Sequence, residues 1–176
     1  MRTKSLFLLL IILNTSLNLC PAQDKKKESH RYYTVTKVVD GDTFWVDNGS
    51  EKGMKVRLTG VDAPETRNSR NKVKTAFGDE STRYLTDLIA GKRVSLEYDI
   101  DTLDRYGRTL AYVYLEDGTF VNASMVRNGY ATVMTTPPNV RYADTFVELA
   151  QKARKHNRGL WNQEVKQPGN HQGAPD

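Results

Sequence analysis

The sequence predicts an α+β, mainly β domain: a five-stranded closed Greek-key barrel with one inserted helix and one C-terminal helix. Three observations predict it. Five short runs rich in β-branched and aromatic residues are separated by Gly- and Asp-containing turns. A helical pattern lies between the third and fourth runs, and a longer one follows the fifth. The length of 176 residues suits a single domain with one core.

The five predicted strands are Tyr32–Val39, Thr43–Val46, Met54–Thr59 and the runs RVSLEYD and RTLAYVYL. In the third strand Met54, Val56 and Leu58 occupy alternate positions, so that face is core and Arg57 lies on the other. The predicted helices span about Asp79–Ala90, Asn122–Arg127 and Tyr142–Asn157, and Tyr130–Val133 is predicted to be extended. Five strands with a helix between the third and fourth fit an OB-fold better than a sandwich.

The N-terminus, residues 1–22, is typical of a secretory signal peptide. Two cations precede an apolar run from Leu6 to Leu13, which is far shorter than the ~20 residues that span a bilayer. Cleavage after Ala22 would remove Cys20, whereas lipoprotein processing would make Cys20 the lipidated first residue. The bulky Leu19 favours cleavage. We expect a secreted or periplasmic (cell-envelope) protein, held at a membrane only if Cys20 is lipidated.

Polar segments flank the predicted domain, which covers residues 32–162. Residues 23–31 form a charged linker and residues 163–176 a polar Pro/Gly tail, and we expect both to be poorly ordered. Removing residues 1–22 takes away two cations and no acids, so the net charge falls from +5 to +3. This modest excess permits an anionic partner without requiring one.

Cysteine and histidine ligands are scarce. Without Cys20 the mature chain has no cysteine, which excludes a disulfide framework and a cysteine-zinc site. His30, His156 and His171 share no metal-binding spacing, and we interpret all three as surface residues.

The stretch VVDGDTFWVD places Asp40 and Asp42 around a glycine. Taken alone, it is typical of a hairpin turn, because glycine and aspartate both tolerate positive φ. A second acidic cluster, GVDAPET with Asp62 and Glu65, follows the third strand and reopens a metal-site interpretation. Adjacent antiparallel strands would place both clusters at one end of the barrel. Such hard oxygen ligands select calcium or magnesium over zinc or copper.

Arginines lie close to these acids in the predicted layout. Arg57 is near the end of the third strand, and Arg108 ends the motif DRYGR, which leads into the fifth. A cation and two guanidiniums beside carboxylates suit attack on a phosphodiester, whose negative charge grows in the transition state. The alternative is that Arg57 and Arg108 are ordinary exposed strand ends paired with Asp62 and Asp104.

Four ordered motifs, VVDGDTFWV, VRLTGVDAPET, DRYGRTLAYVYL and MVRNGYATV, resemble the staphylococcal nuclease (thermonuclease) family from about Val35 to Trp161. The resemblance implies an OB-fold, calcium-dependent nuclease of DNA and RNA. It also implies a role for each matching residue. Asp42, Asp62 and the carbonyl of Ala63 would bind calcium, Glu65 would be the general base, Arg57 and Arg108 would hold the scissile phosphate, and Arg105 and Tyr106 would contact a terminal phosphate.

One segment departs from the family pattern. Where a well-known member carries nucleotide-binding tyrosines, this chain has Met134, Thr135 and Thr136. We expect weaker nucleotide binding on that wall, and Tyr142 is the candidate to replace the missing aromatic side chains.

The leading hypothesis is an endonuclease in which calcium-activated water, oriented by Glu65, attacks phosphorus and leaves 3′-phosphate ends. The first alternative is a non-catalytic OB-fold protein of the cell envelope that binds single-stranded nucleic acid. The second is a structural envelope protein whose acids bind calcium. The leading hypothesis implies DNA and RNA as substrates, no protein partner, and a monomer.

Overall fold

A computed structural model describes residues 31–65 and 75–162. The strands are β1 Tyr32–Asp40, β2 Thr43–Asp47, β3 Met54–Leu58, β4 Val61–Asp62, β5 Arg93–Glu97, β6 Thr109–Leu115 and β7 Thr132–Val133. The helices are α1 Ala76–Ile89, α2 Val121–Arg127 and α3 Ala143–Lys155, followed by a 3₁₀ turn at Gly159–Trp161. The expectations for the signal peptide, the linker and the C-terminal tail lie outside the described residues, apart from Arg31.

Five of the strands close a barrel in the order β1–β2–β3–β6–β5. Every neighbouring pair is antiparallel except β3–β6, which is parallel. With α1 between β3 and β5 along the chain, this is the OB-fold class predicted from the sequence. The three-strand meander β1–β2–β3 is confirmed.

The core forms where alternate strand residues meet the apolar sides of the helices. Phe44 of β2 and Val56 of β3 are fully buried inside the barrel. Leu85 and Ile89 of α1 close one side, and Phe146 of α3 belongs to the same cluster. The buried residues of α3, which are Phe146, Ala150 and Ala153, all face this core.

Helix boundaries differ from prediction mainly at α1, which begins about one turn earlier than expected. The Thr75 hydroxyl accepts a hydrogen bond from the Gly78 N–H at 3.1 Å, which caps the helix before Ala76. A threonine in this position is a recognisable start signal in the sequence.

The pairing of β4 with β7 in a small two-stranded sheet was not predicted from the sequence, although β7 lies within the segment Tyr130–Val133 that was predicted to be extended. Val61 lies opposite Val133 and Asp62 opposite Thr132. The Thr132 hydroxyl also donates to the Asp62 carbonyl at 3.1 Å. This ladder ties the segment after β3 to the chain entering α3, and it fixes the backbone that carries Asp62.

Of the three histidines, His156 is exposed as predicted, whereas His30 and His171 lie outside the described residues. Across residues 31–65 and 75–162, none of the helices combines the length and apolar character needed to cross a bilayer.

Candidate active site

All eight residues predicted to form the site line one cleft of about 380 Å³ at one end of the barrel. Its lining consists of Asp40, Asp42, Arg57, Asp62, Ala63, Pro64, Glu65, Arg105, Tyr106, Arg108 and Met134. These residues come from the β1–β2 turn, the end of β3, the β4 segment, the loop before β6 and the residue after β7. Barrel closure is what brings them together.

The Asp-Gly-Asp stretch is both a hairpin turn and part of this cleft. Asp40 pairs with Thr43 across a two-residue turn, and the Asp42 N–H donates to the Asp40 carboxylate at 3.1 Å. Gly41 does not have positive φ, contrary to the expectation from the hairpin motif. A Cβ there would lie 2.1 Å from the Ser81 hydroxyl oxygen, so glycine is required for space between the turn and α1.

Asp42 is buried and surrounded by donors. Its carboxylate accepts the Thr43 hydroxyl at 2.9 Å, the Ala63 backbone N–H at 3.0 Å and the Arg57 guanidinium. Its own carbonyl accepts the Leu58 N–H at 2.9 Å. The carboxylate therefore has a fixed position between the β1–β2 turn and the β4 segment.

Arg57 joins the two aspartates. One terminal nitrogen donates to Asp42, and the other lies 3.0 Å from Asp62 Oδ1 and 3.4 Å from the Val61 carbonyl. Burial opposes the charge of Arg57, but the two aspartates outweigh it and raise the pKa of the guanidinium above its usual value. The sequence placed Arg57 correctly on the non-core face, but that face is covered here and only 8% of the residue is exposed.

Arg108 is held by a separate turn. Its Nε donates to Asp104 at 2.7 Å and its backbone N–H donates to the same carboxylate at 3.0 Å. Burial opposes ionisation of Asp104, but these bonds from Arg108 hold the pKa of that carboxyl below its usual value. The Arg108 Nη1 also lies 3.4 Å from the Thr43 hydroxyl, which links this turn to the aspartate cluster.

Arg105 and Tyr106 form the outer edge of the cleft. The Arg105 guanidinium donates to the Tyr106 hydroxyl at 2.7 Å, and the tyrosine residue is 68% exposed. Arg108 lies with its guanidinium carbon 5.5 Å from the centre of the same ring. A cationic, partly aromatic edge of this kind suits a phosphate or a nucleotide.

The two pairings of the alternative interpretation, Arg57 with Asp62 and Arg108 with Asp104, are both present. Neither arginine is an exposed strand end, however. Only 10% of the Arg57 side chain and 22% of the Arg108 side chain are accessible. Ordinary surface pairing therefore does not describe them.

Comparison with known proteins assigns the family. A family model described as staphylococcal nuclease homologue matches residues 55–163. The chain is 36% identical over 129 residues to a thermonuclease of Staphylococcus intermedius, an alignment covering 73% of this chain and 75% of that protein. It is 35% identical over 130 residues to a thermonuclease of Staphylococcus hyicus, covering 74% of this chain and 75% of that one. The chain belongs to the staphylococcal nuclease family.

An uncharacterized endonuclease of Escherichia coli O157:H7 shares 40% identity with this chain over 131 residues, covering 73% of this chain and 75% of the relative. The alignments to these three relatives each span more residues than the family model does. The family resemblance stated from the motifs is therefore confirmed.

The donor atoms fit a hard divalent cation. The carboxylates of Asp42 and Asp62 both contact the Arg57 guanidinium, one on each terminal nitrogen, so both lie at the same place in the cleft. Ala63 is bonded to Asp42 through its N–H, which places its backbone beside the same carboxylate. Among the residues the structure describes, no three His, Cys, Asp or Glu side chains form a metal-holding group. A cation bound by both carboxylates would share them with Arg57 or replace it.

Asp40, the other acid of the turn, differs from Asp42. Burial and the nearby charge of Asp42 raise the pKa of Asp40 to about 6. The family resemblance gave Asp40 no ligand role, although the residues alone had included it among the oxygen donors.

The wall that lacks the family's tyrosines is formed by Met134, the only residue of the segment 134–136 that lines the cleft among those described. Tyr142 does not replace the missing side chains, so that expectation is wrong. Its hydroxyl lies 2.9 Å from Glu97 Oε2 and 3.0 Å from the Tyr114 hydroxyl, away from the residues of the cleft. The helix α3 that Tyr142 precedes packs on α2, which draws its ring into the aromatic core.

Sequence reasoning missed one contributor to the site. Thr43 is fully buried, and its hydroxyl contacts both Asp42 and Arg108. It therefore positions two groups that come from opposite sides of the cleft. Its position directly after Asp42 could have indicated a role in the site, but a β-branched residue at the start of a strand is equally well explained by its strand propensity.

Proposed function

We propose that this protein is a calcium-dependent endonuclease that hydrolyses phosphodiester bonds of DNA and RNA and leaves 3′-phosphate ends. One observation carries the proposal: Asp42, Asp62, Glu65, Arg57 and Arg108 line a single cleft. Membership of the staphylococcal nuclease family supports the enzyme class, since relatives of similar length are called thermonuclease or endonuclease.

Calcium would be held by the carboxylates of Asp42 and Asp62 and by the carbonyl of Ala63. When bound, it would supply Lewis acidity at a phosphoryl oxygen and orient substrate and water. Hard oxygen donors of this kind are those that calcium prefers.

The reaction itself needs a base and charge stabilisation. Glu65 takes a proton from water as the water oxygen forms a bond to phosphorus, and the bond from phosphorus to the 5′ oxygen breaks. The released 5′ oxygen takes a proton from solvent water and becomes a hydroxyl group, and Glu65 returns its proton to solvent. The 3′ oxygen keeps the phosphate.

Arg57 and Arg108 stabilise the pentavalent transition state by donating to its non-bridging oxygens. The Asp104 carboxylate binds Nε of Arg108, which leaves the two terminal nitrogens of the guanidinium for other partners. One of them, Nη1, lies 3.4 Å from the Thr43 hydroxyl. Arg57 carries five N–H donors, and its described partners are Asp42, Asp62 and the Val61 carbonyl. Donors therefore remain for a phosphate oxygen.

Cleavage of plasmid DNA and of an RNA by the purified protein tests this proposal. We expect cleavage with calcium and none with a calcium chelator in excess. The new ends should accept label from polynucleotide kinase without phosphatase treatment, because cleavage leaves a 5′ hydroxyl. No cleavage with calcium, or equal cleavage with chelator, would show that the proposed activity is wrong.

Substitution of the base tests the mechanism separately. Glu65→Gln should lower kcat by about 10² to 10⁴, the usual contribution of a general base, with little change in stability. An unchanged kcat would remove Glu65 from the mechanism.

The non-catalytic binding protein is the remaining alternative for the same fold. It would bind single-stranded nucleic acid without cutting it, and it would have no need for Glu65 beside two arginines. Binding without cleavage in the plasmid and RNA assays would favour it.

We further propose export through residues 1–22 to the envelope or the medium, as a monomer. Mass spectrometry of the mature N-terminus tests this, since Gln23 as first residue indicates cleavage and a lipidated Cys20 indicates membrane attachment. Retention of the full N-terminus would contradict export. Analytical ultracentrifugation tests the monomer, and a dimer mass at working concentration would contradict it.

A further inference from the structure

The outer face of β2 carries an aromatic residue between two lysines. Trp45 lies opposite Lys37 of β1 and opposite Lys55 of β3. Residues directly opposite each other on antiparallel strands point to the same face. The neighbours Phe44 and Val46 are fully buried, so the half-buried Trp45 faces away from the core. These side chains form a Lys–Trp–Lys row (Lys37, Trp45, Lys55) across the outside of the barrel.

The Lys–Trp–Lys row lies two residues along β2 and β3 from the proposed active-site cleft. Thr43 precedes Trp45 by two residues on β2, and Arg57 follows Lys55 by two residues on β3. Thr43 and Arg57 lie opposite each other, and Arg57 lines the cleft. Two residues of a strand span about 7 Å. A polynucleotide with one phosphate at Arg57 therefore needs only a short extension to reach the row.

A groove of about 440 Å³ makes the connection. It is lined by Trp45, Lys52, Lys55, Tyr106 and Arg108 together with smaller residues. Tyr106 and Arg108 also line the active cleft, so the groove and the cleft share a wall. A single-stranded nucleic acid that leaves the cleft past Tyr106 would enter this groove.

The charge of the groove suits a polyanion. Among the described residues that line it, Lys52, Lys55 and Arg108 are cationic and none is acidic. None of the ion pairs between described residues involves Lys37, Lys52 or Lys55. The nearby Asp47 accepts the Gly49 N–H at 2.8 Å, which commits its carboxylate to the following turn.

Lys55 also contacts the indole, but weakly. Its ammonium lies 5.8 Å from the centre of the Trp45 ring, close to the outer limit of about 6 Å for a cation–π contact. The ammonium can therefore pair with a phosphate while the ring offers its face to a base.

We propose that the Lys–Trp–Lys row binds one nucleotide of a single-stranded substrate beyond the scissile phosphate, with its base stacked on Trp45 and its phosphates paired with Lys37 and Lys55. The role extends the proposed nuclease function to an added subsite and rests on it. An aromatic ring beside a basic groove is the combination by which OB-folds bind single strands without reading sequence.

A half-buried tryptophan between lysines can also serve only to stabilise the sheet, because cross-strand aromatic pairs stabilise strands. That role predicts a loss of stability in Trp45→Ala and no change in binding per folded molecule. Binding measurements on folded protein separate the two roles.

Tryptophan fluorescence gives the first measurement. The chain has two tryptophans, so Trp161→Phe leaves Trp45 as the sole indole. With calcium chelated to prevent cleavage, a single-stranded deoxythymidine decamer should change the emission of Trp45. In the full chain, Trp45→Ala should raise the decamer Kd about 5- to 150-fold, the value of one base–aromatic stack. Trp45→Phe, which keeps a ring and the fold, should raise it less.

The salt dependence of binding gives the second measurement. The association constant K falls as salt rises, and loss of one phosphate contact makes the negative slope of log K against log salt shallower by about 0.7 for a single strand. Lys37→Ala and Lys55→Ala should each show this reduction, and Trp45→Ala should not. Lys155→Ala is the matched control, because Lys155 lies at the end of α3 and lines neither the cleft nor the groove, and its slope should equal that of wild type.

Cleavage of a decamer and of a dinucleotide with calcium separates this inference from the proposed function. Trp45→Ala should lower the decamer-to-dinucleotide ratio of kcat/KM by about 5- to 150-fold. A wild-type protein that cuts neither substrate overturns the nuclease proposal, while the decamer Kd still tests the row. Folded Trp45→Ala and Trp45→Phe with wild-type Kd, or lysine variants with an unchanged salt slope, overturn the subsite.

Discussion

Two arginines of this protein each bridge two carboxylates, and the comparison separates chemistry from support. Arg57 lies between Asp42 and Asp62 in the candidate active-site cleft. At the entry to α3, Arg141 lies 2.5 Å from Glu97 and 3.8 Å from Asp99. We call the second group the α3 clasp (Arg141, Glu97, Asp99). The composition of the two clusters is nearly the same.

Their surroundings differ. The Arg57 side chain is 10% accessible and that of Arg141 is 45% accessible. The carboxylates of the α3 clasp accept hydrogen bonds from tyrosines, including Tyr112 to Asp99 at 2.9 Å. The clasp therefore ties the chain before α3 to the barrel, and its donors are used within the fold.

Each cluster lies beside a cavity, and the two cavities differ in volume and in charge. The cavity beside Glu97 and Arg141 is about 640 Å³, larger than the candidate active-site cleft of about 380 Å³. The site proposed here is therefore the smaller of the two cavities. It is distinguished by the number of charged groups that converge on it, four acids and three arginines against two acids and one arginine, and such a convergence is what an active site requires.

The largest expected effect is loss of cleavage at the aspartates. Asp42→Asn and Asp62→Asn should each abolish calcium-dependent cleavage, because each removes a charged ligand from a site with few. Asp42→Asn should also lower the free energy of unfolding by about 3 kcal/mol, since it leaves the buried Arg57 partly uncompensated. Asp62→Asn should lower the free energy of unfolding by less than Asp42→Asn does, because the Asp62 side chain is 27% accessible. Plasmid assays and urea unfolding measure both. Wild-type cleavage by either variant would contradict the ligand assignment.

The two arginines of the cleft should come next. Arg57→Ala and Arg108→Ala should each raise the barrier by about 3 kcal/mol, or roughly 150-fold in kcat/KM, as for a lost oxyanion donor. Arg57→Ala should in addition destabilise the fold by about 3 to 5 kcal/mol, because its buried aspartates lose their partner. Arg108→Ala should cost less stability, because the Asp104 carboxylate keeps the backbone N–H groups of Tyr106 and Arg108 as donors. Rates within twofold of wild type would show that these arginines do not contact the reacting phosphate.

A smaller effect is expected in the α3 clasp. Tyr142→Phe removes the hydroxyl that bonds Glu97 and should lower the free energy of unfolding by about 1.5 kcal/mol, the value of a hydrogen bond to a charged group. KM for single-stranded DNA should stay at the wild-type value. The counterpart Tyr106→Ala should raise KM and leave stability unchanged. A raised KM in Tyr142→Phe would mean that the tyrosine reaches the substrate after all.

The smallest effect is the acid sensitivity of the clasp. Burial opposes ionisation of Glu97, but hydrogen bonds from Arg141 and Tyr142 hold its pKa below the usual 4.5. A carboxyl with a lowered folded-state pKa stabilises the protein above its unfolded pKa, and this is lost as the pH falls through the folded value. Stability should therefore fall below about pH 4.5, and less steeply in Glu97→Gln. Urea unfolding between pH 3 and 7 measures both slopes, and equal slopes would contradict the assignment.

Much of the fold could be read from the sequence because its signals are local. The period-two pattern of Met54, Val56 and Leu58 indicated a strand, and that strand is β3. The eight predicted site residues meet in one cleft, since each stands at the end of a strand or in a turn of a closed barrel. Signals of this kind need only a few neighbouring residues.

Other features depended on segments far apart in the chain. The β4–β7 ladder pairs residues about 70 positions apart over two residues each, which is too short to show periodicity. Gly41 is required by Ser81 of α1 rather than by its own turn. The position of Tyr142 in the aromatic core was likewise set by how α3 docks on the barrel.

The sequence by itself determined the residue types, the strand and helix pattern, and the family motifs that carry the chemistry. Only the tertiary structure decided that Arg57 is buried between two aspartates, that Met134 faces the cleft, and that Trp45 lies between two lysines beside it. The physical reason is that burial, charge pairing and groove continuity depend on which distant strands become neighbours. Barrel closure fixes those neighbours.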